Sequence, residues 1–128
     1  MIDCLNEGNA VAAPCTVLIV EDNADGRESL RLILQLLGHR VEVASDGIQG
    51  VEKGVAMRPM AAIVDIGLPR LNGYQVAQRL RAALGDSVTL IAHTAYTQPA
   101  DRERALASGF DAVIAKPAEL QEIIRWLP

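Results

Sequence analysis

Apolar residues along the chain fall into short continuous runs, separated by longer stretches in which they recur at helical spacing. Val17-Leu18-Ile19-Val20 is unbroken, the pattern of a central parallel strand covered on both faces. Ala61–Val64, Thr89–Ala92 and Ala112–Ala115 read the same way. Val41-Glu42-Val43-Ala44 carries a charge inside the run, an alternation that suits an edge strand. Between the runs, Leu30, Ile33, Leu34 and Leu37 recur at i, i+3, i+4 and i+7, predicting a helix over Ala24–Leu37 with Gly38 at its stop. Asp46 is placed to cap a second helix reaching Ala56, closed by Arg58-Pro59. Val76, Ala77, Leu80 and Leu84 mark a third. Pro99 suits the first turn of a fourth, polar helix through Ser108, ended by Gly109. Leu120, Ile123, Ile124 and Leu127 mark the last.

Strands alternating with helices predict right-handed crossovers and a parallel sheet with helices on both faces. With the second strand at an edge, the expected architecture is an α/β, doubly wound (βα)5 domain of flavodoxin-like strand order 2-1-3-4-5. Sites in such sheets gather at the carboxyl ends of the strands. Residues 1–14 lack the pattern and read as a flexible leader, leaving 15–128 as the folded domain; no internal repeat is present.

Composition sharpens this picture mainly by exclusion. The 128 residues suit one domain and leave no room for a DNA-binding output module. Half of them are hydrophobic and the formal net charge is −4, so nothing draws the domain to nucleic acid or an anionic membrane. Aromatics at 3% argue against a base-stacking platform. Cys4 and Cys15 show no metal-ligand or redox spacing and are expected to be reduced thiols. No signal peptide or membrane-length apolar run is found, and a cytoplasmic location is expected.

The first strand ends in Glu21-Asp22 and the third in Asp65. In the expected topology these strands are neighbours, so three carboxylates meet on one rim. Two like charges about 4 Å apart repel by roughly 4 kcal/mol at an effective dielectric of 20. Such a cluster must raise a pKa or hold a cation, and oxygen-only ligands select a hard ion such as Mg²⁺. The fourth strand ends in Thr94-Ala95 and the fifth in Lys116-Pro117. A hydroxyl, an ammonium and a cation around one carboxylate suit a phosphoryl group, with Asp65 as nucleophile.

From Thr16 to Leu127 the sequence resembles the receiver domains of two-component response regulators, the CheY-like superfamily. The matching motifs are Glu21-Asp22, the run Val64-Asp65-Ile66-Gly67-Leu68-Pro69 with Asn72-Gly73-Tyr74, Thr94-Ala95, and Lys116-Pro117. The flavour is closest to receivers of hybrid sensor histidine kinases. The resemblance implies that Asp65 is the phosphoacceptor, served by a histidine kinase or histidine phosphotransfer protein. It implies Mg²⁺, or Mn²⁺, held by Asp22, Asp65 and the Gly67 carbonyl, with Glu21 acting through a water. Lys116 would pair with the phosphoryl group or with Asp65. Thr94 and the Ala95 amide would bind phosphoryl oxygens, and the Lys116-Pro117 bond would be cis. Output would be contact with a downstream protein target, through helix one or the face of the last two helices and last strand, with a homodimer possible. No catalytic turnover of a separate substrate is implied.

The chain also departs from the family pattern. Val113 stands where many receivers carry a switching Tyr or Phe. Tyr96 either shields the acyl phosphate from water or merely covers its loop, and Gly67 leaves space beside it. His93 is expected to pack among helices, and His39 to be exposed. Leu32 and Leu36 either form a docking strip or pack against the last helix; Trp126 covers the core edge or joins a dimer. The rival reading is an aspartyl-phosphate-using phosphohydrolase, such as haloacid-dehalogenase-type enzymes, but their nucleophile ends the first strand in Asp-x-Asp, and here Gly67 stands two residues after Asp65. A flavodoxin-like cofactor binder would need a phosphate-cradling loop where Glu21-Asp22 stand.

Overall fold

The elements follow one another as β1 (Thr16–Val20), α1 (Ala24–Leu36), β2 (Arg40–Ala44), α2 (Gly47–Met57), β3 (Ala61–Val64), α3 (Gly73–Leu84), β4 (Thr89–Thr94), α4 (Pro99–Ala107), β5 (Ala112–Ala115) and α5 (Leu120–Trp126) in the computed structural model. Residues 14–128 are described; the predicted leader, with Cys4, lies outside them apart from Pro14. The strands form one five-stranded parallel sheet in the order β2-β1-β3-β4-β5, the expected topology.

The unbroken apolar strands divide their side chains between two cores, as a period of two requires. Leu18, Val20, Ala62, Val64, Leu90 and Ala92 face α2, α3 and α4, where Val76, Leu80 and Phe110 complete the packing. Val17, Ile19, Ile63, Ile91 and Ile114 face α1 and α5 and meet Leu30, Leu34 and Ile123. Truncating a buried leucine such as Leu80 is expected to cost roughly 2–5 kcal/mol. Among the described residues no helix is long and apolar enough to cross a membrane.

Helix starts obey local chemistry. The Asn23, Asp46 and Asn72 side chains accept from the backbone amides of Gly26, Gln49 and Gln75, satisfying donors that a helix cannot pair internally. Pro99 opens α4. Gly38 and Gly109 take positive φ after α1 and α4, and Arg58 closes α2 in the left-handed region.

β4 runs on to Thr94, so this threonine ends its strand at the rim, as expected. Two local expectations change. Ile33 is not in the core but partly exposed beside α5, because α1 rests on the sheet through Leu30 and Leu34. His39 is buried, not exposed: the turn at Gly38 brings its Nδ1 to accept the Cys15 amide at 2.9 Å. A ring nitrogen that accepts is unprotonated, and burial lowers the His39 pKa to match. The Cys15 thiol is buried and donates to the Pro128 carbonyl at 3.3 Å; desolvation raises its pKa.

Candidate functional site

The parallel register of β1 and β3 pairs Val20 with Val64, so the residues that follow each strand emerge side by side. Glu21 is tied down by its own amide, which donates to the Ala44 carbonyl at 3.0 Å, and Asp65 by its amide on Val20 at 2.9 Å. One ligand atom each from Glu21, Asp22 and Asp65 lie within 4.8 Å of one another. Glu21 and Asp65 are buried and Asp22 is exposed. The sequence-predicted cluster is therefore brought together.

Lys116 enters from β5, whose position beside β4 is continued by the Lys116 amide on the Thr94 carbonyl at 2.9 Å. Its Nζ lies 2.7 Å from Glu21 Oε1 and 3.3 Å from Asp65 Oδ2. The shorter contact is to Glu21, not to the predicted acceptor. The remaining oxygens are also used: Asn23 N–H donates to Glu21 Oε2 and Gly67 N–H to Asp65 Oδ1, both at 3.2 Å. Burial raises the Glu21 pKa, and the charge on Asp65 adds to it against the Lys116 and Asn23 hydrogen bonds. Burial works against the charge on Lys116, but the Glu21 hydrogen bond and the field of Asp65 outweigh it, so its pKa is raised. The ammonium is thus shared by two carboxylates, Glu21 and Asp65.

Thr94 is wholly buried. Its Oγ1 accepts the Tyr96 amide at 2.9 Å, which leaves the hydroxyl proton to donate elsewhere. Ala95 follows at the exposed rim. A Cβ on Gly67 would stand 3.6 Å from Tyr96 Cε2, so the half-exposed tyrosine ring lies against that glycine. At Gly73 a Cβ would overlap the Asp65 carbonyl, and Gly73 N–H bonds Ile66 at 2.9 Å; only glycine lets α3 start this close to the acceptor strand. The Lys116–Pro117 bond is cis. Val113 is half-buried against the core on the α2–α4 side.

Two groups were not legible as site residues. Arg27 donates to the Glu21 carbonyl at 3.0 Å and so braces the acidic turn, yet an arginine in a helix pattern reads as a solvated charge. His93 points away from Thr94, as expected, and lines two adjoining hollows. One, of about 480 Å³, is shared with Glu21, Asn23 and Lys116; the other, of about 180 Å³, lies between α1 and α5. Burial, helped by Lys116, pushes the His93 pKa down to about 4, so the ring is neutral at pH 7.

The donor set is oxygen only and crowded enough to favour a divalent cation, with Asp22 open to solvent. Mg²⁺ takes few protein carboxylates and keeps several waters, which this partly open cluster accommodates. The fold and rim thus define a doubly wound α/β domain with an acidic cluster at the carboxyl ends of β1 and β3. Residues 17–127 match the model of the response regulator receiver domain, and the chain belongs to that family. Response regulator MprA of Mycobacterium sp. (strain KMS) is 35% identical over 111 residues, 87% of this chain and 48% of MprA; the chain spans about half the length of the curated relatives it matches. The receiver domain of sensor histidine kinase PA1611 from Pseudomonas aeruginosa PAO1, solved with magnesium in its active site cleft, is 37% identical, with 89% of this chain and 98% of that chain covered and a TM-score of 0.78. The co-crystal of the Saccharomyces cerevisiae histidine phosphotransfer protein Ypd1 with the receiver domain of Ssk1 matches at 25% identity, 89% and 86% coverage and a TM-score of 0.81. The chain is a receiver domain of two-component signalling, and receivers of this family act as switches.

Proposed function

We propose that Asp65 accepts a phosphoryl group from a phosphohistidine on a histidine kinase or histidine phosphotransfer protein, and that the acyl phosphate switches contacts with a downstream protein target in the cytoplasm. The observation that carries this is the Lys116 ammonium shared between Glu21 and Asp65 at one end of a three-carboxylate cluster. An Asp65 oxygen attacks phosphorus, the P–N bond breaks, and the neutral imidazole departs with the proton it carried. Lys116 transfers its pairing to a non-bridging phosphoryl oxygen. Thr94 donates its free hydroxyl proton to another, and the Ala95 amide supplies a further donor. Such preplaced charges and dipoles provide most of the catalysis in phosphoryl transfer. Asp22, Asp65 and the Gly67 carbonyl, with Glu21 through a water, would hold Mg²⁺ or Mn²⁺, which when bound neutralises charge on the transferring group.

The similarity to the PA1611 receiver with its magnesium supports the metal, and the Ypd1 co-crystal supports the class of donor. The test is incubation with Mg²⁺ and acetyl phosphate followed by intact mass. One phosphoryl adduct is expected, lost in Asp65→Asn and reduced without Mg²⁺. An unchanged adduct in that variant overturns the assignment, and rapid turnover of a phosphomonoester would replace the switch with a phosphohydrolase.

A further inference from the structure

Two loops leave the acceptor rim on the same side of the sheet. One runs from Asp65 to α3 and the other from Thr94 to α4. The helices they lead to are anchored very differently. α3 buries Tyr74, Val76, Ala77, Leu80 and Leu84, whereas the buried residue of α4 is Ala105. An alanine offers little apolar area, so α4 is much cheaper to displace than α3. One further contact crosses from it to α3: the Arg104 guanidinium carbon stands 4.0 Å from the centroid of the Tyr74 ring.

The ends of this contact are close to the chemistry. Tyr74 follows Gly73, which is pressed against the Asp65 carbonyl. Arg104 lies on the helix reached through Tyr96, whose amide is held by Thr94 Oγ1. The contact therefore closes a ring from Asp65 through α3 to α4 and back to Thr94. Val113, small and half-buried, fills the neighbouring position on β5 without an aromatic ring, so no large side chain there reports the state of Thr94.

We propose that Arg104 and Tyr74 form a latch that holds α4 in its resting position and opposes its movement when Thr94 turns to a phosphoryl group; the second half rests on the reading of Asp65 and Thr94 above. A guanidinium over the electron-rich face of a tyrosine is attracted by the ring quadrupole, and an adjacent helix held by one alanine feels that attraction directly. The latch acts in the unphosphorylated protein, so it is testable without any phosphodonor.

Hydrogen exchange of the α4 amides, read by mass spectrometry on the full chain, is the first measurement. Arg104→Ala and Tyr74→Leu are expected to speed α4 exchange roughly 2- to 5-fold, the equivalent of the ~0.5–1 kcal/mol of an exposed cation–π contact. Tyr74→Phe keeps the ring face and is expected near wild type. The β1 and β3 amides serve as the control and should not change in any variant. Equal α4 exchange in Arg104→Ala and wild type overturns the latch, as does equal exchange in Tyr74→Leu and Tyr74→Phe. Phosphoryl uptake from acetyl phosphate is the second measurement, expected to be 2- to 5-fold faster in Arg104→Ala. Faster α4 exchange with unchanged uptake overturns the coupling to Thr94. Absence of uptake in wild type itself overturns the Asp65 reading and with it the coupling, while the exchange data still decide the latch.

Discussion

At the amino ends of β4 and β5 the Arg81 guanidinium donates to the Gly109 carbonyl from Nε and Nη2, at 3.2 and 2.6 Å. Its Nη1 serves the Gly85 and Val88 carbonyls at 2.7 and 2.8 Å, and Nη2 also meets Asp111 at 2.8 Å. Asp111 in turn accepts the Leu90 amide. Charge and hydrogen-bonding capacity are saturated there. At the opposite rim one ammonium, Lys116, is divided between two of three clustered acids. The first arrangement is complete and holds structure; the second carries more carboxylates than its one ammonium can neutralise. The difference separates a structural ion pair from a reactive site more clearly than burial does, since both regions are partly enclosed.

Removing the cation from each rim breaks the comparison most directly. Lys116→Met is expected to slow phosphoryl uptake about 100-fold, the scale for losing a preplaced electrostatic partner, while circular dichroism remains that of the wild type. Uptake at the wild-type rate would remove Lys116 from the chemistry. Arg81→Met should do the reverse: urea unfolding is expected to show a loss of ~2–4 kcal/mol as three carbonyls and a carboxylate lose their donor, with adduct formation intact. A folded Arg81→Met protein that takes up no phosphoryl group would show the two rims to be coupled.

His93 sharpens the contrast, because it is a neutral ring packed beneath the charged rim. Its folded pKa of about 4 lies below the usual 6.5. Between these values the unfolded chain binds more protons than the fold, so stability is full above about pH 6.5 and is lost as pH falls towards 4. His93→Leu should therefore resist acid: the wild type loses ~2–3 kcal/mol more than the variant between pH 7 and 4.5. Parallel urea-midpoint curves would exclude that role. The smallest effect belongs to Asp22, the solvent-exposed acid. Asp22→Asn should gain ~1 kcal/mol or less in metal-free buffer by relieving repulsion. It should also lose the rise in Tm that Mg²⁺ gives the wild type. A full Mg²⁺ response in this variant would exclude Asp22 as a ligand.

Much of the site was legible because its signals are local. A strand ending in acids, another ending in Asp and a third ending in Lys-Pro need only their order and the strand-order rule to be brought to one rim. Asp46 was legible as a helix cap by type and position, and its side chain does accept the Gln49 amide. What escaped reading depends on partners far apart in sequence. His39 looked exposed until the Cys15 amide, 24 residues away, required an acceptor. Ile33 fitted the apolar period of α1, but the helix rests on the sheet through Leu30 and Leu34, which leaves Ile33 at the groove beside α5. Nothing local in the sequence marks Arg27, Arg81 or Arg104, whose partners lie on other segments.

The sequence by itself determined the alternation of elements, the strand order and the identity of the chemically active groups, because hydrophobic period and turn chemistry are properties of neighbouring residues. Only the tertiary structure decided how the charges are shared. It put Lys116 nearer Glu21 than Asp65, saturated Arg81 and laid Arg104 over Tyr74. Those outcomes depend on separations of a few ångströms between distant segments, and Coulomb and hydrogen-bond energies change over just that range.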